Sequence, residues 1–94
     1  MAKAKLTLAA WILWSSLNLG EGVAPRWEAV SAHDTAEECL LARDISVEAA
    51  LEVTRKLRAQ IFNRTKGEFD FTWANGDGWA IYRCARDKTD RRLR

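Results

Sequence analysis

The residues that could carry chemistry in this chain are few and scattered. His33, the one histidine among 94 residues, stands beside Asp34 and six positions ahead of Cys39. A thiol activated by an imidazole is one route to covalent catalysis. Neighbours in sequence rarely take the mutual orientation of a catalytic dyad, however, and the spacing places no serine or cysteine beside the pair. The reading is a loop histidine ahead of a helix, and no enzyme. Cys39 and Cys84 lie too far apart for CxxC redox or zinc chemistry. One His and two Cys cannot build a metal cage, so no metal and no cofactor is expected. Asn75-Gly76-Asp77-Gly78 starts like a calcium loop but lacks the later ligands and the closing Glu, and reads as a hairpin turn. Asn63-Arg64-Thr65 is a glycosylation acceptor, which matters only in a eukaryotic secretory pathway. No glycine-rich phosphate cradle is present.

Two features point to binding instead. Five Trp are more than a core this small can enclose, so some indole surface must stay in water, where Trp is a typical interaction anchor. Trp27, on a weakly patterned stretch beside a loop, is the first candidate. Trp11 and Trp14, three apart on one strand, must point to opposite faces, so one of them looks away from the core. Trp11, Trp14 and Trp27 are therefore the candidate binding surface. Charge is the second feature. Residues 63–94 hold eight Lys/Arg against five acids, while the first 62 balance to −1. With Trp73, Trp79 and Tyr82 this could make an aromatic, basic surface for single-stranded nucleic acid. The competing view is that these rings are core and the tail is solvated.

These residues need elements to hold them. Ala10-Trp11-Ile12-Leu13-Trp14 reads as a first strand, with Ser15-Ser16 leading to a turn. Arg26–Ser31 reads as a second, with Trp27, Ala29 and Ser31 on one face. Thr35 is a good N-cap, and Glu38 three residues on makes capping-box spacing. Ala36, Cys39, Leu40, Val47, Ala50, Leu51, Thr54, Leu57 and Ile61 then keep one helical phase. Arg43 interrupts that stripe. The choice is one helix of about 27 residues or two with a kink near Asp44, and the preserved phase favours one. Phe69, Phe71 and Trp73 alternate with Glu68, Asp70 and Thr72 as a strand, and Trp79–Cys84 returns as its hairpin partner. The expected fold is α+β: an antiparallel sheet in the chain order β-β-α-β-β, with one long helix on one face. A bridge between Cys39 and Cys84 would staple helix to sheet and contribute about 4 kcal/mol through loop closure. Two free, buried thiols are the alternative.

Composition agrees with one small domain spanning 1–94. Apolar residues make 48% and charged residues 30%, and one Pro with five Gly exclude a low-complexity chain. A net charge of +2 is too small to commit the whole chain to nucleic acid. Lys3 and Lys5 ahead of Leu6–Trp14 have the form of a secretory leader, too short to span a membrane. Residues 1–22 are thus either a retained strand with its loop or a cleaved leader; the two combine if residues 1–9 are the remnant of a leader that starts upstream and the mature strand begins near Ala10. Residues 87–94 form a polar, basic tail.

The Trp-x-x-Trp strand Trp11–Trp14, the helical Cys39 and the strand motif Tyr82-Arg83-Cys84 together resemble small bacterial exported two-cysteine proteins. The resemblance covers most of the chain and implies export, to the periplasm or beyond, but no activity. The combined expectation is a disulfide-stapled, exported binding or accessory module without catalysis, meeting a protein partner or a second copy of itself. A cytoplasmic module that binds nucleic acid through its basic end is the alternative.

Overall fold

A computed structural model describes residues 10–20 and 25–87. The leader stretch 1–9 and the tail from Lys88 onward lie outside the described residues, as does much of the loop before Pro25. The elements run β1 (Trp11–Asn18), β2 (Trp27–His33), α1 (Ala36–Lys56), β3 (Gln60–Phe62), β4 (Glu68–Trp73) and β5 (Gly76–Arg86). Among the described residues the strands form one antiparallel sheet in the spatial order β2-β1-β5-β4-β3. The α+β class and the β-β-α-β-β order are as the sequence predicts, with the short β3 added at an edge. No described helix is long and apolar enough to cross a membrane.

Helix α1 starts where its cap dictates. Thr35 is extended, and its Oγ1 accepts the Glu38 N–H at 3.1 Å. This satisfies one of the donors left free at a helix start. The helix is continuous through Asp44. Arg43, in the buried stripe, is accommodated by snorkelling: its stem lies against Gly67 and its guanidinium reaches Asp44 at 3.0 Å. The helix stops earlier than the hydrophobic phase suggests. The Arg58 N–H bonds Arg55 O at 2.9 Å, the Ala59 N–H bonds Thr54 O at 3.4 Å, and Arg58 has φ 61°. That is a Schellman stop with Arg in the left-handed position glycine usually takes. Ile61 keeps its place at the core, but from β3, where it pairs with Phe71.

The main core lies between α1 and the β4–β5 side of the sheet. Val47 and Leu51 pack on Phe69, Phe71 and Ala80, with Tyr82 and Trp73 at the margin. Phe69 and Phe71 meet at 6.0 Å between ring centroids. Burial of each such side chain contributes about 2 kcal/mol. Gly78 makes room for this packing. A Cβ there would lie 2.7 Å from the Phe71 ring, its cross-strand partner. The hairpin turn is tighter than the sequence suggests: Trp73 already pairs with Gly76, which takes φ 116°. Trp73 is also tied down, its indole N–H donating to Leu19 O at 3.0 Å.

A second buried node lies under the first half of α1. Cys39 and Cys84 form the expected disulfide, with Cα atoms 6.0 Å apart and a sequence separation of 45. Leu13, opposite Cys84 in the register, is fully buried beside it. The disulfide therefore joins the N-terminal turns of α1 to the middle strand of the sheet.

Strand β2 departs from the simple alternation. Trp27 and Ala29 pair with Ser16 and Trp14, but Ser31 pairs with Leu13, so Val30 is an extra residue in a β-bulge. The bulge moves Ser31 to the helix side and leaves Trp27 and Ala29 on the opposite face.

Candidate functional site

The helix covers one face of the sheet. The other face is open, and the register fixes what it presents. Leu13 and Cys84 point to the helix, so their neighbours Trp14 and Arg83, themselves a cross-strand pair, point away from it. Ser16 shares that side and brings its partner Trp27 with it. Trp14, Trp27, Arg83 and Ala85 line one shallow groove of about 340 Å³ on this face. Trp27 keeps 46% of its surface in water. Ser16, between Trp27 and Ile81 in the ladder, is buried although no helix covers this side. The large side chains of the face exclude water from it.

Arg83 gives the groove its charge. Its guanidinium lies 5.7 Å from the centroid of the Trp27 ring, a cation–π distance. It also stands 4.0 Å from Glu68, but both side chains are exposed and the pair is weak. On the β4–β5 half of the open face the register places Glu68, Asp70 and Asp77 together with Ile81, Trp79 and, opposite Asp70, Phe62. Asp70 accepts a hydrogen bond from Asn63 Nδ2 at 2.9 Å, and Asp77 accepts one from Thr72 Oγ1 at 2.8 Å. The face thus carries two indoles and one cation at the groove, and three carboxylates interspersed with Trp79, Ile81 and Phe62 on the other half.

The three indoles singled out in the sequence do not form one surface. Trp14 and Trp27 come together. Trp11 lies on the helix side, opposite His33 in the ladder, with Arg86 5.6 Å from its ring. The reactive-looking residues are also accounted for. Cys39 is consumed by the disulfide. His33 Nε2 meets not Asp34 but Ser31 Oγ, at 2.7 Å. Sequence reasoning missed that pair, though its i,i+2 spacing on a strand was a sufficient signal. Neither Ser31 nor His33 lines the groove. No described group of three or more His, Cys, Asp or Glu could hold a metal ion.

A larger cavity of about 500 Å³ opens between α1 and the loop after β3, lined by Asp44, Val47, Glu48, Arg64, Thr65 and Lys66. Most of its charges are paired within the protein: Arg64 with Glu48, and Asp44 with Arg43, leaving Lys66. The sheet groove differs in having exposed indole surface beside a cation that is only weakly neutralised.

Fold and groove together define a class: a disulfide-linked α+β module with an open, tryptophan-bearing sheet face. Comparison with protein families, curated proteins and solved structures finds no match to the chain.

Proposed function

We propose that the protein is an exported, non-catalytic binding module that takes an extended or loop segment of a protein partner on its open sheet face. The observation that carries this reading is the groove formed by Trp14, Trp27, Ala85 and Arg83. Its lining of indole, methyl and guanidinium is suited to holding a ligand rather than transforming it. An apolar side chain fits between the indoles, and a neighbouring carboxylate meets Arg83. The disulfide suits an oxidising compartment, which supports export.

The other reading, a nucleic-acid module, draws on the same Trp27–Arg83 contact. Glu68, Asp70 and Asp77 on that face repel a phosphate backbone and weigh against it. Affinity capture from the native cell, comparing the unmodified chain with Trp27→Ala and Arg83→Glu, tests the proposal. The expected result is a protein partner retained by the first and weakened roughly tenfold or more by either substitution. Capture that is indifferent to both substitutions would reject the groove. Capture of nucleic acid that falls steeply with added salt would favour the other reading. Sequencing the N-terminus of the native protein and weighing it without reductant test export separately.

A further inference from the structure

The outer side of α1 keeps large apolar side chains in water among its charged residues. Leu41 and Ile45 are each 63% exposed and Val53 is 59% exposed, on the side of the helix away from Val47, Leu51 and Thr54. A helix that buries one face against its own sheet and keeps a second apolar face has use for a second layer.

The order of residues on that outer face says what the layer is. Glu38, Ala42, Ile45, Ala49, Val53 and Lys56 recur at steps of three and four along α1, the spacing of a helix–helix seam. The seam has an acid at one end, a base at the other and apolar residues between. Ala42 and Ala49 are small enough for two backbones to approach closely, while Ile45 and Val53 project between them.

We infer that α1 is the dimer interface of this protein, packing antiparallel against α1 of a second copy about a two-fold axis near the level of Val47. A two-fold interface must be complementary to itself. Here the inversion sets Glu38 of each copy against Lys56 of the other, at both ends of the seam. It also brings Glu37, in the first turn, toward the end that carries Arg55 and Arg58. Parallel pairing would align acid with acid and base with base. Antiparallel pairing also opposes the two helix dipoles favourably. The seam from Glu38 to Lys56 is about 27 Å long. The resulting dimer has four layers, sheet–helix–helix–sheet, and its two open faces look in opposite directions.

The test is sedimentation velocity with light scattering on the full, oxidised chain over a concentration series. The expected result is a monomer–dimer equilibrium that Ile45→Lys weakens roughly tenfold or more. Lys56→Glu should weaken it as well, and Glu38→Lys combined with Lys56→Glu should restore it. Ile45 is exposed in the monomer, so at a concentration where every chain is monomeric the Ile45→Lys melt should match that of the unmodified chain, while Lys56→Glu, which also loses the Glu52–Lys56 pair, should melt slightly lower. A chain that stays monomeric throughout overturns the inference. So does a dimer that survives Ile45→Lys, or a charge-exchanged double variant no tighter than Lys56→Glu alone. A dimer lost on Trp27→Ala but not on Ile45→Lys would place the interface on the sheet face instead.

Discussion

Arg83 has a ring on one side and a carboxylate on the other. The stacking on Trp27 is worth about 0.5–1 kcal/mol at an exposed site. Its larger effect is to hold the guanidinium at the groove instead of letting it sweep through solvent. Nothing local in the sequence marks Arg83 for this task. It reaches Trp27 only because β5 lies beside β1 and β1 beside β2, in one particular register. Trp14 and Trp27, by contrast, were legible from arithmetic: too many indoles for too small a core. Tyr82, two strand positions from Cys84, offers a test at this scale. Burial raises its pKa above the ordinary 10.0. The folded state therefore favours the neutral phenol, and the unfolded chain ionises first. Stability should be unaffected by this group below pH 10 and should decline as pH rises through the folded pKa. Tyr82→Phe should flatten that alkaline decline. Tyr82 is the chain's one tyrosine, so a tyrosinate absorbance titration reads it alone.

At the scale of elements, the start of α1 was legible and its end was not. Thr35 and Glu38 announce the cap by type and spacing. Leu57 and Ile61 stay in phase past the true stop, and no glycine marks the turn. The Schellman bonds outweigh the phase because Ile61 reaches the same core from a strand. Arg58 accepts a left-handed backbone at a cost of about 1–2 kcal/mol. Arg58→Gly should therefore raise stability by about 1 kcal/mol, read as a shift in the urea midpoint without a change in slope. The same lesson applies to β2. Its pattern suggested one face for Trp27, Ala29 and Ser31, but the Val30 bulge divides them. An inserted residue leaves no local signature when both neighbours are small. The bulge also twists an edge strand that would otherwise offer unpaired backbone groups to another chain.

For the whole molecule, the order of elements along the chain followed from hydrophobic period, and the pairing of Cys39 with Cys84 from the size of the domain. The spatial order did not, since the insertion of β5 between β1 and β4 depends on contacts far apart in sequence. The core is divided accordingly. The second half of α1 rests on Phe69 and Phe71, whereas its first half depends on Cys39, Cys84 and Leu13. Cys39→Ala with Cys84→Ala should cost up to about 4 kcal/mol by loop-closure entropy, measured by urea unfolding. Hydrogen exchange should localise the loosening. Amides of residues 39–43 should lose protection more than those of residues 51–54, and equal loss in both would show the division to be wrong.

The middle position of β5 has one more consequence, for the order of events during synthesis. Strand β1 leaves the ribosome early, yet its long neighbour and the second sulfur arrive only after the helix and three further strands. Until then the nascent chain holds two separate two-stranded ribbons, β1–β2 and β3–β4, and an uncovered amphipathic rod, none stable alone. Consolidation therefore follows release of the C-terminal strand, and a chain threaded through a translocation pore would still be pliable when it passes.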